Sequence, residues 1–139
     1  MAVKLPLALE RKDAKATADV LKAAKVAIAV CHNDLPKDLA VDLASGTVEG
    51  RRCLLSQAHA FYLASGGVLD VIAVGGVANG REAYIAHLTG AKAVQVGSAL
   101  IKEGAGALGR IDRELDALLA ENSKRSVAEI VGRVSFIGA

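Results

Sequence analysis

Two pairs of residues combine small size with hydrogen-bonding capacity at a spacing suited to an anion: Gly75 and Gly76 in VGGV (74–77), and Gly97 and Ser98 in VGSA (96–99). Glycine has no Cβ, so its backbone N–H can come close to a charged oxygen, and a serine hydroxyl adds one more donor. Each pair ends a short apolar run, and one short helical pattern lies between them. In parallel α/β folds ligands sit beyond the carboxyl ends of the strands, and in barrels the loops after the last two strands often take phosphate. These four residues therefore point to a phosphate or nucleotide-phosphate site. The alternative is that they are tight strand-to-helix turns. A helix predicted to start near Gly106 would add its positive end to the site.

The elements that must carry these tips are short. Residues 2–5, 26–30, 69–74 and 93–96 read as buried apolar strands, and helical spacing predicts helices over 13–25, 53–64, 80–88 and 106–121. Residues 31–35 form the loop at the tip of the second strand. Residues 36–52, with Gly46 and Gly50 among charges, read as a surface excursion with room for a small hairpin. In the tail, Ser126 and Glu129 have the spacing of a capping box. Four strand–helix units with crossovers of this length require parallel pairing, which predicts a (β/α)4 unit, half of an eight-stranded barrel. A free-standing doubly wound sheet is the competing architecture.

At 139 residues the chain is long enough for one domain. Hydrophobic residues make up 53% of it but aromatics only 3%, so the core must be built from Ala, Val, Leu and Ile, and ring stacking is a poor basis for ligand binding. A net charge of +2, with signs alternating along the helices, argues against nucleic acid as a partner. No apolar run is long enough to span a membrane. The opening MAVKLPLALERKD, with Pro6 followed by charges, makes a poor signal peptide. Cys31 and Cys53 lack metal or redox spacing and read as small apolar residues. His32, His59 and His87 read as structural or exposed, and Arg51 and Arg52 as solvent-facing.

Residues 71–104, with VGGVANGREA and AVQVGSALIKEG, closely resemble the carboxyl-terminal part of dihydroorotate dehydrogenases, the flavin-dependent barrels of pyrimidine synthesis. The resemblance continues through RIDRELDALLAEN and SVAEIVGRV and, more weakly, back to VKLP; residues 35–52 are its poorest part. It implies the second half of that family's barrel. It further implies that Gly75, Gly76, Gly97 and Ser98 grip the phosphate of FMN, that Lys4 contacts the flavin ring, and that Asn33 lies beside the substrate. Three departures accompany it. The family's Asn-Ser pair reads Asn33-Asp34 here, and a carboxylate there would repel a carboxylate substrate. Where the family has a glycine-rich loop along the flavin, this chain has only Gly50, Arg51 and Arg52 between Glu49 and Cys53. The first four strands, with the family's Cys or Ser base, have no counterpart here, and Cys31 lies on a different strand from that base.

A half-barrel exposes strand edges and the apolar inner face of its sheet, so the expectation is cover by other protein chains: a second copy, a chain carrying the missing half, or subunits of a larger complex. The resemblance then implies an accessory or structural subunit that keeps the phosphate grip without catalysing alone. The alternative is the carboxyl-terminal chain of a split, FMN-dependent dihydroorotate dehydrogenase. Simple binding of a phosphorylated metabolite is a third reading. The family works in the cytosol or in mitochondria, and either location is expected.

Overall fold

Alternation of small apolar residues with larger ones along four short runs produces the main sheet. The computed structural model describes residues 1–6, 9, 11–33, 39–49 and 56–137. In chain order the elements are β1 (Ala2–Lys4), α1 (Ala14–Ala23), β2 (Ile28–His32), β3 (Val41–Asp42), β4 (Thr47–Glu49), α2 (Gln57–Ser65), β5 (Asp70–Val74), α3 (Gly80–Leu88), β6 (Ala91–Gln95), α4 (Ser98–Glu103), α5 (Gly106–Glu121) and β7 (Ser135–Ile137). The main sheet is wholly parallel with the order β1-β2-β5-β6, and its register places His32 and Gln95 on either side of Val74. β1 and β6 are its borders among the described residues.

Ala29, Cys31, Val71 and Ala73 all point to one face and are fully buried against Ala18 and Leu21 of α1, Ala58 and Phe61 of α2, and Ala86 of α3. Such small strand residues let the helices approach closely, as the low aromatic content requires. The alternate residues Ile28, Val30, Ile72 and Val74 belong to none of the apolar clusters, and all but Val30 remain partly open to solvent. Among the described residues the helices lie on one face only, the arrangement of a barrel wall. A doubly wound sheet would carry them on both.

The excursion does hold a hairpin. β3 and β4 pair antiparallel across a turn in which Asp42 Oδ1 accepts the Ala44 N–H at 2.9 Å and Oδ2 accepts the Ser45 hydroxyl at 2.9 Å. β7 then pairs parallel with β4, making a second, three-stranded sheet. This strand is not evident from the tail's composition. Tyr84, Leu88, Leu119 and Ile130, with Leu39, Val48 and Ile85, fill the space between this sheet, α3 and α5.

Several expectations need correction. Cys31 and His32 complete β2 instead of opening a loop. A helix, α4, begins at Ser98, well before the one predicted from Gly106. Ser126 makes no side-chain cap, and Glu129 bonds to Arg125 Nε at 3.0 Å, leaving only a short 3-10 turn where the capping-box spacing predicted a helix start. Asp34, Leu35, Gly50, Arg51, Arg52 and Cys53 lie outside the described residues.

Candidate functional site

The carboxyl ends of the four parallel strands lie at one end of the sheet, so Lys4, Asn33, Gly75-Gly76 and Gly97-Ser98 fall on consecutive tips. Pairing continues past the strands: the Leu5 N–H donates to the Val30 carbonyl and the Asn33 N–H to the Val74 carbonyl, both at 2.9 Å. Lys4 is exposed, as a charged residue on a border strand should be.

Asn33 is 2% exposed, and its Oδ1 is buried with no hydrogen-bond partner among the described residues. An unmet acceptor in a buried position costs free energy, and such groups cluster where a ligand completes them. Gly76 packs beside it. Its φ of +70° is in the left-handed region, and a Cβ there would lie 3.1 Å from the Asn33 carbonyl oxygen. Gly97 differs: a Cβ built on it meets nothing within 4 Å, so the space on that side of the residue is open. Ser98 is exposed.

Gln57, which no sequence motif singles out, fastens the first two tips. Its Oε1 accepts the His32 N–H at 3.0 Å, while Nε2 donates to the carbonyls of Pro6 and Leu9 at 3.0 and 3.3 Å. It can reach both because Ser56 caps α2 just there, accepting the His59 N–H at 3.3 Å. The sequence signal is a single amide at the start of a mostly apolar helix.

The start of α3 is closed to an outside anion. Asn79 Oδ1 accepts the Glu82 N–H at 2.9 Å, Glu82 Oε2 accepts the Ala78 N–H at 2.6 Å, and Glu114 Oε2 accepts the Gly80 N–H at 2.7 Å. These amides already face side-chain oxygens, two of them from carboxylates. The amides near Gly97 and Ser98 have no side-chain cap, and α5 starts only after α4 has ended, so the positive end expected from Gly106 does not open the site.

The other candidates are structural. Cys31 is fully buried and its thiol is pushed up to about 12 by desolvation, which removes it as a nucleophile. His59 and His87 are buried, with Nδ1 at 2.9 and 2.7 Å from the carbonyls of Thr89 and Ala91. Among the described residues no group of His, Cys, Asp and Glu could hold a metal ion, and no helix is long and apolar enough to cross a membrane.

The family model described as dihydroorotate dehydrogenase matches residues 1–119. A probable dihydroorotate dehydrogenase A (fumarate) of Streptococcus pneumoniae is 40% identical over 83 residues, covering 60% of this chain and 27% of that protein. A dihydroorotate dehydrogenase (quinone) of Rhodospirillum rubrum is 47% identical over 66 residues, covering 48% of this chain and 18% of that one. The crystal structure of a ligand-free DHODH from Eimeria tenella superposes with a TM-score of 0.74 at 24% identity, over 95% of this chain and 39% of that chain. The present chain thus corresponds to a fraction of its relatives' length, and its fold is part of their barrel.

Proposed function

The chain belongs to the dihydroorotate dehydrogenase family, and from that premise we propose that it is an accessory or structural subunit of a larger complex that holds a flavin phosphate without catalysing alone. The observation that carries this reading is the gathering of Lys4, Asn33, Gly75-Gly76 and Gly97-Ser98 at consecutive tips of one parallel sheet, with a buried unmet acceptor among them. The residues present fit FMN. Backbone amides at Gly75, Gly76, Gly97 and Ser98 would take its phosphate, Lys4 would lie along its ring, and Asn33 would offer Oδ1 to an N–H of a ligand. When bound, FMN supplies a ring able to accept hydride.

Two sequence features support an absence of independent turnover: the carboxylate of Asp34 next to Asn33, and the lack of a glycine-rich run between Glu49 and Cys53. Cover for the open sheet face by other chains completes the proposal, in the cytosol or in mitochondria. Titration of FMN with the full chain, followed by quenching of flavin fluorescence, tests it together with a dye-linked assay of dihydroorotate oxidation. Binding without turnover is expected. Absence of FMN and phosphate binding, or turnover by the chain alone, would overturn it.

The second reading, a split dehydrogenase, is favoured by the retention of Lys4 and of the unmet Asn33 acceptor. It is distinguished by a co-purifying chain that carries the barrel's first half and restores turnover when mixed with this one.

A further inference from the structure

Two segments carry the residues assigned above to the phosphate: the loop after β5 and the turn from β6 into α4. One guanidinium bonds to the far ends of both. Arg110, on α5, donates from Nη2 to the Ala78 carbonyl at 3.0 Å. From Nε and Nη2 it also grips the two carboxylate oxygens of Glu103, the last residue of α4, at 3.0 and 2.9 Å. Nη1 donates to Glu114 Oε1 at 2.8 Å, and the other oxygen of that carboxylate holds the Gly80 N–H at 2.7 Å. The β5 loop is thereby bonded to α5 at Ala78 and Gly80, and α4 is bonded to α5 across Gly104 and Ala105, which alone separate the two helices.

We propose that Arg110 is a positioning residue that locks the β5 loop and α4 into one frame, setting the separation at which Gly75-Gly76 and Gly97-Ser98 face a phosphate. The phosphate part rests on the function proposed above; the frame itself does not. Arginine suits the task because its planar fork presents several donors in fixed directions, so three acceptors on three segments are met at once. A lysine would keep the charge but present a compact ammonium without the fork. The network also pairs Glu103 and Glu114 with a cation, so neither carboxylate is left unbalanced.

The test uses the full chain with Arg110→Gln and Arg110→Lys, hydrogen exchange of backbone amides, and affinity for FMN and for inorganic phosphate, measured well below the melting temperature. In Arg110→Gln, amides of residues 76–80 and 98–103 should exchange faster together while the β3–β4 hairpin keeps its protection. FMN affinity should fall roughly tenfold, the scale of loss when an outer partner of a binding group is removed. Arg110→Lys should recover neither effect. Unchanged exchange in the two segments, or full recovery by lysine, would overturn the frame. If the exchange pattern appears but the wild-type chain binds neither FMN nor phosphate, the frame stands and the phosphate reading falls.

Discussion

His87 shows how a buried group answers to pH. Its Nδ1 lies 2.7 Å from the Ala91 carbonyl oxygen, and since a carbonyl only accepts, Nδ1 must carry a hydrogen. Burial pulls its pKa below the ordinary value, and the bond to Ala91 offsets only part of that. The unfolded chain therefore takes up a proton near pH 6.5 that the folded chain resists. Stability should be fully present above that pH and decline as pH falls from it toward the folded pKa. Thermal melts of the full chain are expected to show a lower Tm at pH 5 than at pH 7, with a flatter dependence in His87→Asn, whose amide can still donate. Asp19 and Asp42, held below the usual carboxylate range by Lys15 and Ser45 respectively, respond only at more acid pH. A slope unchanged in the variant would assign the effect to other groups.

Turns decide how the elements meet. Gly90 joins α3 to β6 with a φ of +113°, and a Cβ there would fall inside the Tyr62 side chain of α2. Gly90→Ala combines backbone strain with overpacking and should cost about 3 kcal/mol. Urea unfolding should show this as a lower midpoint at unchanged m; a cost under about 1 kcal/mol would mean that Tyr62 moves aside freely. Elements of this kind were legible wherever one residue carries the signal. The strand ends at Gly75-Gly76 and Gly97-Ser98 were legible because glycine after an apolar run marks a turn. Gln57 did not, because its three partners come from segments distant in sequence. Glu129 misled, since the spacing from Ser126 fits a cap while Arg125 competes for the same carboxylate. Helix α4 escaped notice because six residues show less than two turns of periodicity.

At the scale of the whole molecule, the described elements finish the sheet on one face only. Ile28, Ile72 and Val74 are half-buried on the side opposite the helices, between border strands whose outer edges pair with no other strand among the described residues. Half-covered apolar surface of this kind favours association. Light scattering on the 139-residue chain should therefore report a species larger than a monomer, and Ile72→Glu, which puts a charge on that face, should shift it toward the monomer. A well-folded wild-type monomer would show that the face tolerates water. The fold class was readable from the alternation of elements because parallel strands need long crossovers. The three-stranded sheet was not readable, because its pairing joins residues far apart in the chain.

That second sheet places Thr47 opposite Ser135 and Glu49 opposite Ile137. A nascent chain leaving the ribosome can thus set β1, β2, β5 and β6 side by side while β4 still waits for a neighbour that has not been translated. Pairing β4 with β7 closes a long loop, and such non-local contacts carry an entropic cost before they are rewarded, so the small sheet is expected to form late in assembly.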